Sequence, residues 1–99
     1  MPATSYEVSA LVREDLCDAF EAFMIDFHIP DVIATGAFSS ANFARLEPGR
    51  YRTSYVAASR ESLDKYIAEH APRLRDHVAE TFSEGIEFSR EEWVMIESF

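Results

Sequence analysis

Ninety-nine residues with 18 carboxylates against nine lysines and arginines give a formal charge of −9. A chain of that length supports one hydrophobic core, and 47% hydrophobic with 13% aromatic residues excludes a disordered one. A field of that sign repels phosphate backbones and anionic lipid, so neither nucleic acid nor a membrane surface is expected as a partner.

No apolar run approaches the roughly 20 residues that span a bilayer. Met1 to Glu7 shows no cationic segment followed by an apolar stretch, so no secretory leader is read and the cytoplasm is the expected location. The single cysteine, Cys17, has no internal disulfide partner, which fits a reducing compartment.

Tyr6 to Val12 alternates, with Tyr6, Val8, Ala10 and Val12 against Glu7, Ser9 and Leu11, and predicts a strand with one buried face. From Glu14 the period changes. Leu16, Ala19, Phe20, Phe23, Met24 and Phe27 recur at spacings of three and four, an amphipathic helix with acids in its first turn. Pro30 is expected to end it, because the residue before a proline is pushed out of the helical region. Asp31 to Thr35 then make one more short turn, closed by Gly36. Ala37 to Leu46 form a second strand, Glu47-Pro48-Gly49-Arg50 a type II turn, and Tyr51 to Ala57 the returning strand of a hairpin. Ser59 or Ser62 caps the next helix, whose apolar stripe is Leu63, Tyr66 and Ile67. Pro72 opens a new helical segment carried on by Leu74, Val78 and Phe82. Gly85 stops it, and Ile86 to Ile96 form the last strand.

The order βα, β-hairpin, α, β predicts an α+β fold of the ferredoxin-like, split βαβ kind, one domain over residues 1–99. Both helices are expected on one face of an antiparallel sheet. Trp93, Val94, Met95 and Ile96 are consecutive and would send apolar groups to both faces, with Tyr51 and Tyr55 against Val56 pointing the same way. A sheet apolar on both faces predicts a homodimer joined face to face about a two-fold axis.

His28-Ile-Pro-Asp-Val-Ile-Ala-Thr-Gly36, followed by Phe38, resembles the hallmark of a family of small bacterial proteins of unknown function with the dimeric α/β-barrel pattern. Tyr66-Ile-Ala-Glu-His-Ala-Pro-Arg-Leu-Arg75 is similar to a second block of that family, and Tyr51 to Ser59 to its hairpin, while Glu92 to Phe99 matches only in character. The resemblance implies a fold and a dimer but no established activity. The wider group of dimeric α/β barrels includes antibiotic-biosynthesis monooxygenases, polyketide cyclases, muconolactone isomerases, haem-degrading enzymes and plain ligand-binding proteins. Fold alone does not choose among them. By analogy with that group, a pocket is expected between sheet and helices in each subunit.

His28 beside Asp31 offers a histidine and carboxylate for general acid–base work, or else a helix-end histidine complementing the dipole and an aspartate capping the next turn. His70 with Arg73 or Arg75 offers a polar ring and an anion anchor, or again a helix end. Arg45, close in sequence to Arg50 and Arg52, offers a bidentate grip on an anion, or ordinary surface ion pairs. Tyr55, with Tyr51 and Tyr66, offers a hydroxyl to a ligand, or a core body with one satisfied hydroxyl. No His-x-x-x-His pair occurs, and neither a metal site nor a cofactor is expected. A phosphate-binding glycine loop and a Gly-x-Ser-x-Gly elbow are also missing. The expected function is binding of, or cofactor-independent acid–base or oxygen chemistry on, a small aromatic or acidic metabolite. His28 would be the base with Asp31 beside it, and Arg45, Tyr55, His70 and Arg73 would hold the substrate. The alternative is a non-catalytic dimeric module in which the same residues cap helices and brace the dimer.

Overall fold

The computed structural model describes residues 3–99. Four strands, β1 (Thr4–Val12), β2 (Phe38–Glu47), β3 (Arg50–Ala57) and β4 (Ile86–Val94), form one sheet in the order β2-β3-β1-β4. Every neighbouring pair is antiparallel, with Tyr6 opposite Tyr55 on one side and Glu92 on the other. Strand β3 lies between β1 and β2, which is the split βαβ arrangement of a ferredoxin-like α+β fold. The β2–β3 turn needs its glycine: Gly49 has φ +87°, its carbonyl accepts from Val12 N at 2.7 Å, and a Cβ there would stand 2.8 Å from Val12 O.

The first helical stretch runs through Pro30 rather than ending at it. A 3₁₀ turn (Glu14–Leu16) leads into α1 (Cys17–Phe23), a π-helical turn (Met24–His28) and α2 (Ile29–Ala34) without a break. The wide turn explains the correction. Ile29 N donates to Met24 O, five residues back, so the chain opens just where the proline ring would clash with the preceding turn. Pro30 then sits in the first turn of α2, where its missing N–H is harmless. Gly36, with φ +79°, closes the stretch as its position predicts. In the second helical stretch Ser59 Oγ accepts from Ser62 N at 3.1 Å to cap α3 (Arg60–Glu69), and Pro72 stands at the start of α4 (Ala71–Thr81).

All helices lie on the face of the sheet that carries Tyr6, Ala10, Tyr51, Tyr55 and Ala57, which are buried beneath them. Two apolar clusters fill the layer. One gathers Tyr6, Tyr55, Tyr66, Leu63 and Leu74; the other gathers Phe20, Phe23, Met24, Tyr51 and Val78. The opposite face corrects the expectation of a sheet apolar on both sides. There Glu7 accepts from Ser5 Oγ and, at 2.7 Å, from Ser54 Oγ, and it pairs with Arg52 at 3.7 Å. Beside them stand Ser9, Ser89, Glu87 and Glu91, with Leu11 and Trp93 as exposed apolar residues. The last strand also stops at Val94 rather than Ile96. Met95 N still reaches Ala3 O at 2.9 Å, but Ile96 is 95% exposed and belongs to neither face. No helix of the described residues is long and apolar enough to cross a membrane.

Candidate functional site

The two clusters do not close against each other. Between them is a cavity of about 280 Å³, just under the usual range for small-molecule sites. Its apolar wall comes from Tyr6, Val8 and Tyr55 on the central strands and from Tyr66, Leu74 and Val78 on the helices. Strand β4 contributes Ile86, Phe88 and Arg90, alternate residues of its helix-facing side, and the π-helical turn contributes Met24 and His28.

His28 gives the cavity its chemistry. Its ring stacks on Phe23 at 6.0 Å, and its Nδ1 is buried without a hydrogen-bond partner among the described residues. Burial drives its pKa down to about 4, with the charges of His77 and Arg90 acting in the same direction and Asp31 opposing them. The imidazole is therefore neutral at pH 7, so one ring nitrogen carries a proton and the other is able to accept one. Two phenols of the same wall, Tyr55 and Tyr66, are held protonated. Burial pushes Tyr66 up to about 12, with Tyr6 adding to the rise, and raises Tyr55 as well. Tyr6 Oη accepts from Arg75 Nη2 at 3.0 Å. A neutral imidazole and tyrosines on the wall of one aromatic cavity suit binding of a flat molecule and proton transfer on it.

Of the residues marked in the sequence, the cavity brings together His28, Tyr55, Tyr66 and Arg75. Asp31 is exposed on α2 and reaches His28 only through its charge. His70 ends α3, 6.2 Å from the Tyr66 ring, and Arg73 Nη2 approaches its Nδ1 at 3.4 Å, so this pair lies outside the lining. Arg45 is on β2 at the far end of the second cluster, where its Nη1 meets Glu21 Oε2 at 3.1 Å while Tyr51 Oη donates to the same oxygen at 2.6 Å. His77 touches Phe23 from another side, at 5.2 Å. Among the described residues no group of three or more His, Cys, Asp and Glu side chains assembles as metal ligands.

Tyr6 and Arg90 belong to the wall but were not singled out. Arg90 had a legible signal: it follows Ile86 and Phe88 at period two, a charge on the inward side of a strand. A wider hollow of about 560 Å³ lies over the opposite face, lined in part by Ser9, Leu11, Leu46, Arg50, Arg52 and Glu87. Arg45 lines it as well, and its arginines are already paired, Arg45 with Glu21, Arg50 with Glu47 and Arg52 with Glu7; it holds no buried unpaired polar atom among the described residues.

The profile of the family described as Domain of unknown function (DUF4286) matches residues 3–96. Among curated proteins none matches the sequence significantly. Solved structures share the fold. A candidate antibiotic biosynthesis monooxygenase from Caulobacter crescentus CB15 superposes with a TM-score of 0.71 at 16% identity, covering 97% of this chain and 92% of its own. Rv0793 from Mycobacterium tuberculosis gives 0.68 at 16% identity over 97% of each chain. A dimeric ferredoxin-like protein from an uncultured marine organism gives 0.62 at 14% identity over 100% of each. At such identities the likeness is one of fold.

Proposed function

The chain belongs to the DUF4286 family, and from that premise we propose that it binds a small aromatic or acidic metabolite between sheet and helices and performs cofactor-independent acid–base chemistry on it. One observation carries this reading: a neutral histidine with an unpartnered buried Nδ1 stands on the wall of an aromatic cavity. A buried polar atom left without a partner costs stability, and a ligand proton or hydroxyl is the natural partner to supply. His28 is the base, Tyr55 and Tyr66 are hydroxyl donors, and the rings of Tyr6 and Phe88 hold the ligand flat.

In the same proposal the open sheet face is covered by a second copy, as the dimeric ferredoxin-like relative suggests by its fold and the exposed Leu11 and Trp93 by their chemistry. Sedimentation at micromolar concentration should then show a dimer, and a monomer would remove this part.

The site itself is tested by following side-chain and methyl resonances while titrating small phenols and aromatic acids. The expected shifts fall on His28, Met24 and Val78, and they vanish in His28→Gln. Shifts confined to Leu11, Leu46 and Val56 would move the site to the opposite face and end this reading.

A further inference from the structure

The chain has eight arginines, and they divide in a way that composition does not explain. Arg13, Arg45, Arg50, Arg52 and Arg60 each lie within 4.0 Å of a carboxylate. Among the described residues Arg73, Arg75 and Arg90 have none at that distance. Carboxylates are not scarce, since 18 of them face nine cations. Two of the three unpaired guanidiniums, Arg75 on α4 and Arg90 on β4, line the cavity that holds His28 and reach it from opposite walls.

Both are exposed, which places them at the rim, and both are steered by neutral partners. Arg75 donates to the Tyr6 hydroxyl at 3.0 Å, and Arg90 folds over the Phe88 ring at 5.5 Å. The nearby acids are engaged elsewhere: Glu84, on the same wall, lies 3.6 Å from Arg13, and Glu92, next inward position after Arg90, is held by Arg60 at 3.0 Å. The arginines that cluster in sequence, Arg45, Arg50 and Arg52, are neutralised in place, so the available cationic field gathers here instead. It is felt inside, where Arg73, Arg75 and Arg90 all act against the rise in the Tyr66 pKa.

We infer that the ligand is an aromatic carboxylate whose carboxyl group sits between Arg75 and Arg90 while its ring lies against Tyr6, Tyr55 and Phe88. A guanidinium donates two parallel N–H groups and matches a carboxylate in geometry, and the net charge of −9 with Glu84 on the wall disfavours a dianion such as a phosphate ester. This rests on the cavity being the ligand site and adds two specificity-determining residues to it.

The test compares 4-hydroxybenzoate with its uncharged isostere 4-hydroxybenzamide on the full chain, followed by His28 and Val78 resonances up to 20-fold millimolar excess. The acid should bind at least tenfold more tightly than the amide, and added sodium chloride should weaken the acid only. In Arg75→Met and Arg90→Met the acid should lose that advantage while the amide binds as before, which shows that the cavity remains folded. Equal binding of acid and amide at His28, or an advantage untouched by both substitutions, would overturn the inference and leave the cavity reading intact. Absence of any shift at His28 with either compound would overturn both.

Discussion

Lowering the pH from 7 to 5 is expected to cost this protein about 2 kcal/mol of stability through His28 alone. The perturbation acts on a group that stays neutral in the folded chain down to about 4, against an ordinary 6.5. Burial is the main cause, His77 on α4 and Arg90 on β4 act with it, and Asp31 on α2 acts against it. The unfolded chain takes up a proton at this residue as the pH falls below 6.5, and the folded chain does not. The unfolded state therefore binds more protons throughout the window, and stability falls with pH. The whole difference is worth about 3 kcal/mol, at about 1.4 kcal/mol per decade of proton affinity, and about 2 kcal/mol of it falls between pH 7 and pH 5. Urea unfolding at pH 7, 6 and 5, run on the wild type and on His28→Gln, isolates this contribution, because the carboxylates, largely ionised in this range, cancel in the difference. The wild-type line should fall more steeply and the two should diverge by the stated amount. Parallel lines would refute the reasoning, since they would mean that His28 is hydrated or charged in the folded protein.

Phe20→Ala should lower stability by about 3–5 kcal/mol at unchanged denaturant slope, because Phe20 is 1% exposed and its ring meets those of Phe43, Tyr51, Phe82 and Phe88. A loss under about 1.5 kcal/mol would show that the neighbouring rings collapse into the space. Gly49→Ala and Gly36→Ala form a matched pair: both glycines have positive φ, but only at Gly49 would the new methyl meet a backbone oxygen, Val12 O at 2.8 Å. Thermal unfolding should show Gly49→Ala to be the more damaging, and equal effects would mean that backbone conformation rather than crowding sets the cost.

The strands and the second helical stretch were legible because each residue there answers to one local rule: Tyr6, Val8, Ala10 and Val12 alternate, Ser59 caps, Pro72 starts and Gly49 turns. The first helical stretch was legible only in part. Spacings of three and four continue across Met24 to His28, and nothing in them shows a hydrogen bond reaching back five residues, so Pro30 reads as a terminator. The site was harder because pairing is not local. Arg45, Arg50 and Arg52 look like an anion grip when read together, but Glu21 and Glu7, which hold two of them, are distant in the chain. Trp93 to Ile96 were read as apolar groups sent to both faces, yet the open face is set by Glu7, Arg52 and the serines beside them, whose alternation with the buried residues of β1 and β3 already carried that information.

The wide turn at Met24 to His28 has a bearing on helical phase. Val32 lies twelve positions after Phe20, and at about 100° per residue an unbroken α-helix would leave it about 120° around the axis from that ring. A turn that absorbs one extra residue subtracts one step, and the offset shrinks to about 20°. By the same count His28 comes into line with Phe20 rather than standing well to one side. A single slip of the hydrogen-bond ladder thus rotates the second half of the helix back toward the sheet, seating Val32 in one cluster and bringing His28 to the opening between the two.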